Sequence, residues 1–147
     1  ANPIAGLTGL GSAELRTDTE ARRISIHIAA ETISVARALG HVVEPLFGID
    51  PQRFIDAANG DNIEDLEIDM VASAQNLAGG RPSFLQDVMK GRPTEIDYLN
   101  GYVSSKGREL GIPTPFSDTV VNTVQNPPTG QLKPNRENLA PLSALIE

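Results

Sequence analysis

The chain has 147 residues, no cysteine and a net charge of −7, with 12 lysine and arginine against 19 aspartate and glutamate side chains. That length fits one domain able to bury about two-thirds of its unfolded surface. Without cysteine there are no disulfides, thiolate zinc sites or thiol nucleophiles, and the cytoplasm is the default compartment; the scattered, outnumbered basic residues argue against a nucleic-acid partner.

Apolar residues recur at helical spacing and no segment alternates as a strand, so an all-α, multi-helix domain is expected. No apolar run reaches the roughly 18 to 20 residues of a membrane span, so no membrane partner is expected. The opening ANPIAGLTGL starts inside an apolar segment with no cap and no basic lead-in, and reads as a piece of a longer protein. Gly6, Gly9 and Gly11 run G-x-x-G-x-G with no strand before them. They mark a helix end and a turn rather than a dinucleotide loop.

Thr17 and Glu20 have the spacing of a capping box, and the helix they start runs to Gly40. Its inward stripe takes Ala21, Ile24, Ile28, Val35 and Ala38. Glu31 falls on that stripe, so it must be paired, hydrogen-bonded or raised in pKa, with an arginine partner the expected outcome. His27 and His41 read as a helix-surface residue and a C-terminal capping residue, and no metal is expected. In the connection that follows, Val42, Val43, Leu46 and Phe47 are expected to anchor to the core. A short helix then starts with Asp50 as N-cap and Pro51 at its first position, and ends before Gly60. The acidic stretch DNIEDLEIDMVASAQNLA forms the next helix, with Ile63, Leu66, Met70 and Leu77 near one side. Asp61, Glu64, Asp65, Glu67 and Asp69 lack the spacing and central glycine of a calcium loop and read as a solvated face.

Residues 81–102 hold two helix starts around Gly91. Phe84, Leu85 and Val88 belong to the first, and Asp87 there raises the same question as Glu31. Ile96, Leu99 and Val103 belong to a second helix expected from Thr94 to about Leu110. Gly101 and Gly107 inside it each cost roughly 1 kcal/mol against alanine, which suggests close approach of another helix or a ligand. Ser83 stands at the mouth of the first helix, where it can cap the backbone or leave the free N–H groups to hold a substrate carboxylate with its hydroxyl. Glu95, in the first turn of the second, suits the helix dipole even without a function. A last core helix is expected over residues 117–125. NPPTGQLKPN then reads as an extended connector and NRENLAPLSALIE as a weakly amphipathic end, which divides the chain into residues 1–125 and 126–147.

The strings SFLQDVMKGRPTEIDYLNGYV and RELGIPTP, with ANPIAGLTGL and ETISVARALG upstream, resemble the C-terminal domain of the ketopantoate reductase (2-dehydropantoate 2-reductase) family. The resemblance covers about residues 1–125. It implies a helical domain related to the C-terminal domains of 6-phosphogluconate dehydrogenases. That domain would be partnered by an N-terminal Rossmann domain that binds NADP and lies outside this chain, and the intact protein would be a cytoplasmic oxidoreductase, possible as a homodimer. Such an enzyme would reduce 2-dehydropantoate to pantoate for pantothenate synthesis, and this piece alone would be inactive. By position, Ser83 resembles the family serine at the substrate, Glu95 the glutamate at the substrate and cofactor site, and Asn2 an asparagine of the hinge-side helix. The general-acid lysine of the family would precede Asn2, so no catalytic residue is expected within these residues; Lys90, Lys106 and Lys133 do not match it. Ser12 stands where a further family asparagine is expected, which keeps a reductase of another 2-keto acid as one alternative. A non-catalytic helical dimerisation module is the other.

Overall fold

Apolar residues at helical spacing can be buried only by packing helix against helix, and the computed structural model, which describes residues 2–77 and 79–146, does so. Among the described residues there is no named strand, and nine α-helices follow in order: α1 (Asn2–Thr8), α2 (Glu14–Thr17), α3 (Thr19–Ala38), α4 (Pro51–Ala58), α5 (Ile63–Ala74), α6 (Ser83–Met89), α7 (Asn100–Leu110), α8 (Pro115–Gln125) and α9 (Ala140–Ser143). Single 3₁₀ turns at Ile96–Tyr98 and Arg136–Leu139 precede α7 and α9. The all-α class read from the sequence is the observed one.

The 20-residue α3 is the organising element. Ile24 and Ile28 join Ile4, Leu7, Leu85 and Val120 in one core, formed with α1, α6 and α8. Ile26 and Ile33 join Phe54, Leu66 and Met70 in a second, formed with α4 and α5. The helix is therefore buried on two faces rather than along the single expected stripe, and Ala38 at its end is exposed. Its N-cap is Asp18, which accepts from the Ala21 N–H at 2.9 Å, and not Thr17. Thr17 ends α2, where its hydroxyl donates back to the Ala13 and Glu14 carbonyls.

Local chemistry redirects three further expectations. Val42 and Phe47 are exposed; the connection is anchored by Ile49, with Val43 and Leu46 packed beside it. The backbones of Leu46 and Ile49 bond to each other in a tight turn that puts Phe47 at φ 57°. The helix expected from Thr94 is broken at Leu99 (φ −100°, ψ −102°). Beyond the break, Asn100, Ser104 and Gly107 face inward, so the buried face of α7 is small and polar. Gly107 does meet a close neighbour, its own downstream loop: an added Cβ would lie 2.7 Å from Thr114 Cγ2 and 2.8 Å from the Ile112 carbonyl.

Gly6 lies within α1 and lets it touch α6, since a Cβ there would sit 2.5 Å from Phe84. The last segment also returns to this core. Leu139 and Leu142 are fully buried, and the Asn135 N–H and Asn138 side-chain amide both donate to the Leu7 carbonyl, satisfying the end of α1.

Candidate functional site

An apolar concavity lies between the two cores, beside α3. It is a cavity of about 370 Å³ lined from the first core by Leu15 and Ile28 and from the second by Ile33, Phe54 and Met70. Asn2, Ser12 and Pro82 also line it, although they are far apart in sequence. Two contacts explain the convergence. The α1–α6 contact at Gly6 fixes one helix against the other, and the Ser12 N–H donates to the Gly80 carbonyl at 3.2 Å, tying the turn after α1 to the approach of α6.

Of the residues singled out for a site, Asn2 is exposed at the start of α1 and lines the cavity. Ser83 is exposed as the first residue of α6, one position after the cavity-lining Pro82. It is not an N-cap, because Pro82 occupies that position and the helix has no side-chain cap. Glu95 is exposed before the 3₁₀ turn, where its carbonyl accepts from Tyr98 and Leu99 while its side chain caps nothing. Asn2, Ser12 and Pro82 are thus brought together beside Ser83, and Glu95 stands outside the cavity lining.

Sequence reading missed Arg16. Its guanidinium lies over the Phe47 ring, 3.6 Å from the centroid, and donates through Nη1 to the Ser73 carbonyl and hydroxyl. Both Arg16 and Phe47 line the cavity. No periodicity marks an arginine in a four-residue helix, and Phe47 was read as a core anchor. The placement is fixed from behind by Arg22, which is buried and donates to the Arg16 and Thr17 carbonyls. Arg22 in turn pairs with Glu67 at 3.0 Å, and Arg23 pairs with the same carboxylate at 3.1 Å. Glu67 is therefore a buried cross-link from α5 to α3 and not part of a solvated face. Burial pushes its carboxyl up, but Arg23 and Arg22 together hold it below the usual carboxylate range.

Glu31 also has a different partner from the arginine expected. Its two oxygens accept from the buried N–H groups of Phe116 (2.7 Å) and Ser117 (2.8 Å) in the first turn of α8. Helix starts expose such donors, so a buried carboxylate can be held there without a cation. Burial nevertheless outweighs these bonds and raises the Glu31 pKa. His27 is half-buried rather than on the surface, stacked on Phe116 at 4.4 Å, and burial lowers its pKa. This seam locks α3 to α8 and lies apart from the cavity lining. Among the described residues no group of histidines and carboxylates is arranged to hold a metal, and no helix is long and apolar enough to cross a membrane.

Comparison with known proteins matches residues 1–127 to the family described as ketopantoate reductase PanE/ApbA C terminal. A 2-dehydropantoate 2-reductase of Mycobacterium tuberculosis (strain CDC 1551 / Oshkosh) is 34% identical over 123 residues, covering 82% of this chain and 35% of that protein. Another, from Mesorhizobium japonicum, is 29% identical over 124 residues, or 84% of this chain and 32% of that protein. A third, from Archaeoglobus fulgidus, is 37% identical over 57 residues, or 39% of this chain and 19% of that protein. The chain thus spans about a third or less of the length of these relatives. No solved structure matches it.

Proposed function

The chain belongs to the ketopantoate reductase family, as its C-terminal domain, and from that premise we propose that it is the substrate-binding part of an NADP-dependent reductase of 2-dehydropantoate or a related 2-keto acid. The match over residues 1–127 carries this reading. The grouping of Asn2, Ser12 and Pro82 around one cavity beside Ser83 supports it, because a concave apolar site with a few polar groups is the form a small-molecule site takes.

Among the described residues there is no strand, glycine loop and helix in succession, the arrangement that cradles a dinucleotide. The cofactor belongs to an N-terminal Rossmann domain, with Glu95 as the residue of this chain nearest to it in role. When bound, NADPH supplies the hydride that adds to the keto carbon. The proton that completes the 2-hydroxy acid comes from a lysine expected before Asn2. Asn2 and the Ser83 hydroxyl orient the substrate oxygens, and Glu95 orients a hydroxyl or the lysine ammonium. Ser12, where the family asparagine is expected, has a shorter reach and one donor in place of two, which favours a 2-keto acid other than 2-dehydropantoate as the second reading.

In the full-length protein, Ser83→Ala and Glu95→Ala should each lose about 1.5 to 4 kcal/mol of transition-state stabilisation, about 10- to 10³-fold in kcat/KM. Unchanged kcat/KM in both variants would remove these residues from the site.

A further inference from the structure

Glu95 is exposed and its side chain caps nothing, so its direction is set by the backbone that carries it. Among the described residues no backbone N–H bond holds Thr94 or Glu95. The segment has its fixed points on either side instead. Downstream, Ile96 is buried in the first core, and Asp97 Oδ1 accepts from Gln125 Nε2 at 2.7 Å. Gln125 is the last residue of α8, a helix seated on the same core through Val120, Val121 and Val124. Upstream, Gly91 turns at φ 65° and the Gln131 amide lies directly against it, 2.6 Å from where a Cβ would stand. Gln131 is held in turn by the bend at Gly130, whose N–H donates to the Pro127 carbonyl, and by Leu132, which packs on the first core. It lies beyond residues 1–127, so membership of the family does not imply this contact.

We propose that Gln125 and Gln131 are positioning residues that clamp residues 91–97 at both ends and so aim the Glu95 carboxylate. The inference rests on the reductase reading above and adds to it two side chains that act only through Glu95. Reacting groups must be held to within about 0.5 Å, and a displacement of about 1 Å can lower a rate about 100-fold. Both glutamines are exposed, and surface side chains of this kind contribute little to global stability. They can nevertheless fix a short segment that has few other bonds. Gln125 does so from the end of a packed helix, which is a more rigid support than a loop.

The test uses the full-length protein with NADPH and the member of a panel of 2-keto acids, 2-dehydropantoate included, that it reduces fastest. Gln125→Glu opposes two carboxylates across the 2.7 Å contact and should lower kcat/KM about tenfold, with Tm within about 3 °C of the parent. Gln131→Ala should lower kcat/KM about threefold. Asp97→Asn added to Gln125→Glu lets the new amide donate to the new carboxylate, restoring the bond with donor and acceptor exchanged, and should recover most of the loss. In a Glu95→Ala background, Gln125→Glu should lower kcat/KM by less than about twofold further, because the group it acts through is gone. A merely structural glutamine would lower Tm in step with activity and would cost as much without Glu95 as with it. If Glu95→Ala lowers kcat/KM while Gln125→Glu and Gln131→Ala do not, or if the Gln125→Glu loss is the same in both backgrounds, the proposal fails and the reductase reading stands. If Glu95→Ala changes nothing, or if no 2-keto acid is reduced, that reading of Glu95 fails and the proposal with it.

Discussion

Replacing Glu31 by alanine removes the side chain that accepts from the first two N–H groups of α8, the only one to do so among the described residues. Phe116 and Ser117 are 5% and 0% exposed, so water cannot readily substitute. An unsatisfied buried donor costs about 1 to 3 kcal/mol, which gives about 2 to 6 kcal/mol for two. Relief of the buried carboxylate, whose raised pKa records its desolvation, offsets part of this. We expect a net loss of about 2 to 4 kcal/mol, roughly 5 to 15 °C in Tm, measured by urea and thermal unfolding. Glu31→Gln keeps one acceptor and should lose about half as much. The pH dependence follows from the raised folded pKa. In the window between the unfolded and folded values the native state binds more protons, so the contribution of Glu31 is fully present below the unfolded carboxylate pKa and is lost as pH rises through the folded one. Glu31→Gln should flatten stability over that window. A loss below about 0.5 kcal/mol for Glu31→Ala would refute the reasoning, because the two N–H groups would then have another partner.

Glu67→Ala leaves Arg22 buried without its counter-ion and should cost about 3 to 5 kcal/mol by chemical denaturation. Its pH dependence has the opposite sign to that of Glu31: the folded pKa is lowered, so its stabilisation is present above the unfolded carboxylate value and is lost as pH falls through the folded one. Leu139→Ala and Leu142→Ala should each cost about 2 to 5 kcal/mol, since both side chains are fully buried; no measurable effect would mean that the last segment does not pack on the core. Gly107→Ala should destabilise by about 1 to 3 kcal/mol in the same assay, through its clash with Thr114 and the Ile112 carbonyl.

The all-α class and most helix limits were legible because they depend on local chemistry. Asp50 with Pro51 sets a helix start, and Gly111, at φ 70°, ends α7. What escaped reading depends on partners distant in sequence. Glu31 was recognisable as a buried carboxylate, but its partner, the start of α8, lies some 85 positions away. The break at Leu99 escaped because Ile96, Leu99 and Val103 keep helical spacing, whereas the surface actually buried is Asn100, Ser104 and Gly107. Phe47 is apolar by type, yet a left-handed turn leaves it outside, where Arg16 stacks on it. For the site, residue chemistry drew attention to Ser83 and Glu95, and the family resemblance added Asn2. Arg16 carried no local signal and emerges only from the cavity that α2, α3 and the turn at Phe47 enclose together.

The most direct test of the central claim is NADPH consumption by the full-length protein in the presence of 2-dehydropantoate and a panel of other 2-keto acids, with the product identified. The account predicts oxidation of one NADPH for each 2-hydroxy acid formed, weakened by Ser83→Ala and Glu95→Ala. Absence of NADPH oxidation with every 2-keto acid, from folded full-length protein, would contradict it.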